Sequence, residues 1–289
     1  MANPIQWFPG HMAKAQREIE EKIKLADIVF ELIDARIPIS SINPVFENIL
    51  KNKKKIYIMT KIKMADPNMN LKWTQYFKNN NIDFIEVDSI SKININKISV
   101  LAKDVLKEKL LKEKEKGMKE RPIRTMVIGI PNVGKSTLIN ALCGKKIALA
   151  ANKPGVTKSQ QWIRVNKDLD LLDTPGVLWP KFDDDITGYN LALTGAIKDD
   201  IFHKDDLILY FIDFLRIHYP NSLAKYGIDL KEKENNIEVL DIIGINNNMY
   251  YNNHVDYDRV YELLINDFRN LKLGLITLEF PEDKNKNEN

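Results

Sequence analysis

A glycine-containing segment at residues 129–136, GIPNVGKS, has residue types suited to binding phosphate. It fits the pattern G-x-x-x-x-G-K-S/T, it follows a predicted strand (125–130), and a predicted helix comes after it. Glycines let backbone N–H groups surround a phosphate, and the helix adds the positive end of its dipole. We predict that Lys135 contacts the β- and γ-phosphates and acts in catalysis, and that the Ser136 hydroxyl binds Mg²⁺. The nucleotide contacts predicted in this segment are Asn132, Val133, Gly134, Lys135, Ser136 and Thr137.

An aspartate after a second apolar stretch is predicted to complete the phosphate site. In LDLLDTPG (169–176), Asp173 ends the stretch and Gly176 follows three residues later, which is the D-x-x-G pattern of GTPases. We expect Asp173 to hold Mg²⁺ through water and the Gly176 N–H to contact the γ-phosphate. Between the two motifs, Thr157 is predicted to bind Mg²⁺ only when the γ-phosphate is present. The three motifs in this order favour a GTPase over a kinase or another ATPase.

The base-recognition residues are predicted upstream of the phosphate motifs. MTKIKMAD (59–66) and VDSIS (87–91) come at the ends of predicted strands 54–60 and 82–89. An ordinary GTPase carries its base motif after D-x-x-G, so this order indicates a circular permutation, which moves only the chain ends. The predicted base contacts are Thr60, Lys61, Ile62, Lys63, Asp88 and Ser89.

The remaining pattern predicts the elements that position these motifs. Short runs rich in Ile, Val, Phe and Tyr alternate with helical stretches, which indicates an α/β fold with a doubly wound, mostly parallel sheet. After residue 182 the apolar spacing of three and four predicts a small, mostly helical C-terminal domain, with a strand signal only at 273–280. We predict a permuted phosphate-loop GTPase domain at 1–182, a helical domain at 183–280 and a disordered tail at 281–289. The helices predicted in the first domain are 13–25, 44–51, 71–79 and 96–116, and its first strand is 26–35.

The composition is that of a globular protein, but its charge is unevenly distributed. Of the 289 residues 44% are hydrophobic, and no stretch approaches the roughly 20 apolar residues of a membrane helix. We therefore expect a cytoplasmic protein that binds no membrane. Residues 1–180 carry 31 Lys and Arg against 19 Asp and Glu, a net of +12, whereas residues 181–289 have a net of −9. The basic part favours RNA as a partner, with no DNA expected, although a solvated basic surface explains the composition equally well.

Several segments together resemble the ribosome biogenesis GTPase A family. They are WFPGHMAKA (7–15), DARIPISSINP (34–44), GIPNVGKSTLINAL (129–142), PGVTKSQQW (154–162), LLDTPGVLWPKF (171–182) and TGAIKD (194–199). The resemblance implies a GTPase that binds GTP and GDP and acts on the large ribosomal subunit and its rRNA late in assembly. It also implies that hydrolysis is linked to release and is slow until the subunit stimulates it. A nucleotide-binding rRNA scaffold that does not hydrolyse GTP remains an alternative, whereas no substrate-site residues support a metabolic enzyme.

One position departs from the family pattern. Where the family has N-K-x-D, residues 60–63 are Thr, Lys, Ile and Lys. The family's aspartate accepts hydrogen bonds from guanine, but Lys63 has three donors and no acceptor. Asp66 lies three residues too far along, and it matches a second acidic position of the family. We therefore expect weaker guanine affinity or discrimination, since unmet donors cost on the order of 1–3 kcal/mol.

Two further roles follow from the resemblance. Val177 occupies the position where Ras-like proteins have a glutamine that orients water, and its apolar side chain cannot do so. His11 is the internal candidate for this task, the alternative being a structural histidine beside Trp7 and Phe8. Asn132 resembles the asparagine with which some GTPases hold K⁺, although a turn-favouring asparagine without an ion fits equally well.

Overall fold

The computed structural model describes residues 10–145, 161–179, 182, 184–198, 203–232 and 235–282. The predicted Mg²⁺ ligand Thr157, the aromatic residues Trp7 and Phe8, and the end of the predicted tail from residue 283 lie outside these ranges. The backbone of His11 lies in the first helix, but its side chain is also outside the described part.

A six-stranded sheet forms the centre of the described structure, with strands in the order β3-β2-β1-β4-β6-β5. Its strands are β1 (Ile28–Asp34), β2 (Lys54–Thr60), β3 (Phe84–Glu86), β4 (Ile123–Gly129), β5 (Gln161–Arg164) and β6 (Leu169–Asp173). All neighbouring strands are parallel except β5, which runs antiparallel to β6. The carboxyl ends of the parallel strands therefore meet at one edge, where ligands bind in sheets of this kind.

Helices cover both faces of the sheet. The first part of the chain contains α1 (Gly10–Lys22), α2 (Val45–Leu50), α3 (Pro67–Asn79), α4 (Lys97–Val105), α5 (Lys107–Glu115) and α6 (Lys135–Cys143). All seven positions of β1 are buried, as expected of a strand that lies between two layers of helices. On one face Phe30 packs with Ile98 and Ala102 of α4, and on the other Val29 packs in a cluster with Ile19 of α1. The predicted doubly wound arrangement is confirmed.

The second part of the described chain is mostly helical. It contains α7 (Asp185–Leu193), α8 (Lys204–His218), α9 (Asn236–Asn246), α10 (Tyr257–Arg269) and a small antiparallel hairpin of β7 (Tyr250–Tyr251) and β8 (His254–Val255). None of the described helices has the length and apolar character needed to cross a membrane. One hydrophobic cluster includes Phe30 of the sheet and Phe268 of α10, so the core continues from the sheet into the helices. The division at residue 182 remains a proposal.

Three local predictions were wrong. The helix predicted at 96–116 is interrupted at Leu106: α4 buries Ile98 and Ala102, whereas α5 buries no side chain. Strand β5 was missed, because it is a short edge strand whose Trp162 is 40% exposed and shows no buried apolar run. The strand predicted at 273–280 does not form, and these residues are irregular in the structure.

The segment at 273–280 crosses back to the first part of the chain. The N–H of Leu278 donates to the carbonyl of Arg36 (2.8 Å), and the Trp73 indole donates to the carbonyl of Glu279 (3.1 Å). The buried carboxylate of Glu279 accepts hydrogen bonds from the N–H groups of Ile39 and Ser40 and from Asn190 of α7 (2.5, 3.0 and 3.0 Å). This segment therefore ties the loop after β1 to the helical region.

Candidate functional site

The phosphate loop connects the end of β4 to the start of α6. Gly129, at the end of β4, has a φ of +150°, and a Cβ there would lie 2.9 Å from the carbonyl oxygen of Leu32 in β1. Gly134, which precedes α6, has a φ of +107°. Both glycines of the motif thus occupy backbone conformations that L side chains rarely adopt. The loop has the strand-and-helix context that the sequence predicted.

Lys135 lies folded over its own loop. Its ammonium donates hydrogen bonds to the carbonyl oxygens of Gly129 and Ile130, at 3.0 and 2.7 Å. The side chain is buried, which lowers its pKa to about 8 despite the opposing influence of Asp173. Phosphate oxygens at this loop would supply negative charge to a cation whose hydrogen bonds to described residues go to neutral carbonyls.

Asp173 stands at the end of β6 with an unused carboxylate oxygen. Its Oδ1 is buried and has no hydrogen-bond partner within the part of the chain that the structure describes. Burial raises its pKa to about 6, although Lys135 acts in the opposite direction. A buried oxygen without a partner, together with the hydroxyl of Ser136 in the first turn of α6, suits Mg²⁺, which prefers a few protein oxygens completed by phosphate and water. Within the described ranges no three His, Cys, Asp or Glu side chains cluster as a metal site, and this kind of Mg²⁺ site needs no such cluster.

The D-x-x-G loop lies directly against the phosphate loop. A Cβ on Gly176 would approach the Cα of Pro131 to 2.7 Å and the ammonium of Lys135 to 3.0 Å, so only glycine fits. The next residue, Val177, donates its N–H to the carbonyl of Gly129 (3.3 Å). Its side chain is fully buried in the cluster that contains Ile19 of α1. Val177 therefore faces the core, away from any position where it could contact a water at the phosphates.

Thr60 joins the first base loop to the phosphate loop. Its hydroxyl lies 2.7 Å from the carbonyl oxygen of Val133 and 3.0 Å from that of Ile33, so it donates to the phosphate loop while lying at the end of β2. The sequence placed Thr60 in the base site, and the structure brings it and Val133 together. This contact brings the predicted base loop against the phosphate loop.

Lys61 and Lys63 follow Thr60 but differ in their surroundings. Lys61 has a left-handed backbone (φ 58°), and its ammonium pairs with Asp34 at 2.8 Å. Burial opposes ionisation of Asp34, but Arg36 and Lys61 outweigh it and hold the pKa of this carboxyl well below its usual range. Ile62 and Lys63 lie in a short 3-10 turn (Ile62–Met64), where Ile62 is half-buried and Lys63 is exposed.

Asp88 and Asp66 both shape the chain around them. The Oδ1 of Asp88 accepts from the N–H and hydroxyl of Ser91, at 2.7 and 2.6 Å, and this closes the turn that carries the half-buried Ser89. Asp66 caps α3 by accepting from the N–H of Asn68 (2.8 Å), and its other oxygen accepts from the hydroxyl of Tyr219 (3.2 Å). Asp66 is therefore committed to the helix start.

Asn132 connects the phosphate loop to the helical region, a contact that sequence reasoning missed. Its backbone has a φ of 56°, and its side-chain amide donates to the carbonyl of Gly195 (2.6 Å), just after α7. Arg269 of α10 donates to the carbonyls of Leu193 and Ala192 in the same segment (2.9 and 2.7 Å). A K⁺ at Asn132 would bind the side-chain oxygen, since the amide nitrogen is only a donor and points to Gly195. The resemblance at TGAIKD was the only sequence signal near this contact.

Comparisons with known proteins agree with this geometry. A family model described as 50S ribosome-binding GTPase matches residues 124–241. Ribosome biogenesis GTPase A of Bacillus licheniformis is 49% identical over 281 residues, covering 96% of this chain and 99% of the relative. The protein of that name from Priestia megaterium is 47% identical over 282 residues, covering 96% and 98%. The probable ribosome biogenesis GTPase A of Mycoplasma pneumoniae is 31% identical over 277 residues, covering 95% and 96%.

A solved structure shows the same fold. The crystal structure of GNP-bound YlqF from T. maritima superposes with a TM-score of 0.67 and covers 93% of this chain and 99% of that one, at 22% identity. The shared architecture is an α/β phosphate-loop domain with a mostly parallel six-stranded sheet, followed by helices.

Proposed function

Because the chain belongs to the ribosome biogenesis GTPase A family, we propose that this GTPase binds the large ribosomal subunit at a late step of maturation and that hydrolysis is linked to its release. The observation that carries the nucleotide part of the proposal is the junction of Thr60 with Val133, which joins the base loop to the phosphate loop at one sheet edge. The family model described as 50S ribosome-binding GTPase supports the choice of subunit.

Lys135, Ser136 and Asp173 supply the chemistry of the phosphate site. Phosphoryl transfer depends mainly on positioning and charge neutralisation. Lys135 would exchange its contacts with the Gly129 and Ile130 carbonyls for the β- and γ-phosphate oxygens. Mg²⁺ would be held by Ser136 and Asp173, with Thr157 joining when the γ-phosphate is present, and it would neutralise the charge that develops on the phosphates. The N–H of Gly176, beside Lys135, would contact the γ-phosphate.

The water-orienting group must come from outside the D-x-x-G loop. Val177 is buried in the core, so its position supports the proposal that His11 performs this task. A histidine can act near neutral pH. Hydrolysis by the free protein is then slow, and it accelerates when the ribosomal subunit is bound.

The charge distribution supports an RNA-binding role for the basic part. Residues 1–180 carry a net charge of +12, which favours contact with rRNA phosphates in the cytoplasm. The acidic helical region would contact protein or set the docking geometry.

GTP turnover with purified ribosomal subunits tests the proposal. We expect low turnover alone, stimulation by large subunits and none by small subunits, and no turnover for Lys135→Ala. Binding to large subunits without stimulation would favour the scaffold alternative, and equal stimulation by both subunits would contradict the proposal.

The salt dependence of binding to large subunits tests whether the basic part of the chain faces rRNA. Binding should weaken steeply with salt, and Lys54→Gln with Lys119→Gln should reduce that slope, because both lysines are exposed in the basic part. Lys231→Gln, an exposed lysine of the helical region, is the matched control and should leave the slope unchanged.

A further inference from the structure

Lys63 lies on the loop that is tied to the phosphate loop, only three residues after Thr60. The Thr60–Val133 contact places this loop beside the phosphate loop, and Lys63 follows it in the exposed 3-10 turn. Lys63 forms no hydrogen bond or ion pair with any described residue. Its ammonium is thus available to a ligand, but only as a donor.

Most carboxylate oxygens of the surrounding loops already accept hydrogen bonds or ion pairs. Asp34 pairs with Arg36 and Lys61 (2.7 and 2.8 Å). Asp66 caps α3, and Asp88 closes the turn with Ser91. Asp34 and Asp66 would have to give up a contact that shapes their own loops in order to accept hydrogen bonds from a base, and the Oδ1 of Asp88 is likewise engaged by Ser91.

The second base loop offers donors instead. The N–H groups of Ser89 and Ile90 have no acceptor among the described residues, and Ile90 is 84% exposed. Backbone donors suit the 6-oxo group of guanine and oppose the 6-amino group of adenine. Guanine also carries a 2-amino donor, and Lys63, which has no acceptor, stands where the family pattern has the carboxylate that accepts from it.

We infer that the base site selects 6-oxopurines but does not recognise the 2-amino group, so that the protein binds and hydrolyses inosine triphosphate as readily as GTP. Inosine triphosphate differs from GTP only by lacking that amino group. A site discriminates strongly against an analogue only where it hydrogen-bonds the missing group. The inference rests on the GTPase activity and is independent of the ribosomal proposal.

Competition against a fluorescent GDP, together with hydrolysis of each triphosphate by the free full-length protein, tests the inference. The wild type should bind GTP and inosine triphosphate within about threefold of each other and ATP at least about tenfold more weakly. A preference for GTP over inosine triphosphate of about tenfold or more would overturn the inference. Failure to bind either nucleotide would overturn the GTPase assignment as well.

Variants at Lys63 make the test specific. Lys63→Asp supplies an acceptor for the 2-amino group and should raise the preference for GTP over inosine triphosphate to about 10- to 100-fold. Lys63→Ala removes the ammonium without adding an acceptor, so its ratio should stay near one. Lys54→Asp is the control, because it makes the same charge change at the opposite end of β2 and should leave the ratio unaltered. An unchanged ratio in Lys63→Asp would show that residue 63 does not face the base.

Discussion

The side-chain amide of Asn132 donates a 2.6 Å hydrogen bond to the carbonyl oxygen of Gly195, so the phosphate loop is bonded directly to the turn after α7. Arg269 of α10 donates to the two carbonyls of Ala192 and Leu193 that precede this turn. The segment after D-x-x-G leads along the chain to α7 and is one connection between the nucleotide motifs and the helices. The Asn132 contact provides a second and shorter connection.

Replacing Asn132 should uncouple the helices from the nucleotide. We expect a GTP analogue, relative to GDP, to change amide hydrogen exchange in the helical region, most of all at residues 190–197. Asn132→Gly keeps the positive φ but removes the amide, so this difference should disappear at 190–197. Asn252→Gly is the control, because Asn252 also has a positive φ but lies in the β7–β8 turn. This variant should retain the nucleotide-dependent difference in exchange at residues 190–197. Identical exchange in the wild type with both nucleotides would contradict the coupling.

The Thr60 hydroxyl should contribute to nucleotide affinity without touching the nucleotide. Thr60→Val keeps the shape of the side chain but removes the donor to the buried Val133 carbonyl. A lost hydrogen bond of this kind costs about 1 kcal/mol or more, so GDP affinity should fall at least about fivefold. Thr60→Ser retains the hydroxyl and should remain close to the wild type. Calorimetric titration measures the GDP affinity of both variants. Equal affinities for Thr60→Val and Thr60→Ser would show that the hydroxyl does not contribute to nucleotide binding.

His11→Ala should lower ribosome-stimulated hydrolysis much more than GTP binding. A group that orients water acts mainly in the transition state, so kcat falls while affinity is retained. Such groups typically contribute about 10² to 10⁴-fold. The measurement is single-turnover hydrolysis at saturating large subunits, with GTP affinity determined separately. A decrease smaller than about threefold would count against this role. A variant that no longer binds large subunits would instead show that the N-terminal segment serves as an anchor.

The sequence predicted the centre of the sheet well and the connections around it poorly. Buried parallel strands such as β1 and β2 are continuous apolar runs between polar residues, so periodicity located them within about two residues. The edge strand β5 has no such run. The phosphate loop was recognisable because its chemistry requires glycine, lysine and serine at fixed spacing.

The contacts that fix the site depend on residues far apart in the chain. Asn132 bonds to a residue 63 positions away, and Glu279 bonds to Ser40 across 239 positions. No local periodicity encodes such pairs. A carboxylate such as Glu279, near the end of an apolar segment, gives no sequence signal that it will be buried against the loop after β1.

Glu279 should make the protein less stable as the pH rises through neutrality. Burial raises the pKa of its carboxyl to about 7, although hydrogen bonds from Ser40 lower it. A group whose folded pKa is raised contributes stability that is complete below its unfolded pKa, near 4.5, and is lost as pH rises through about 7.

Glu279→Gln removes this titration. The stability of the wild type relative to the variant should therefore fall by about 1 to 3 kcal/mol between pH 5 and pH 8. Urea unfolding of both proteins between pH 5 and pH 8 measures this change in the free energy of unfolding. The titration of other residues affects both proteins alike and cancels when the two free energies are subtracted. A constant difference would show that Glu279 is ionised throughout.

Residues 273–280 bond to the loop after β1, so this loop cannot make all of its contacts until late in synthesis. Translation releases the chain from its first residue onward, so β1 and the following loop emerge long before Leu278, which bonds to Arg36, and Glu279, which bonds to Ile39 and Ser40. Until then, the N–H groups of Ile39 and Ser40 must be satisfied by water. Contacts of such high sequence separation form late because a long loop must close first. A nascent chain can thus form the central sheet early, while the loop beside the base site is completed only when the last part of the polypeptide has been made.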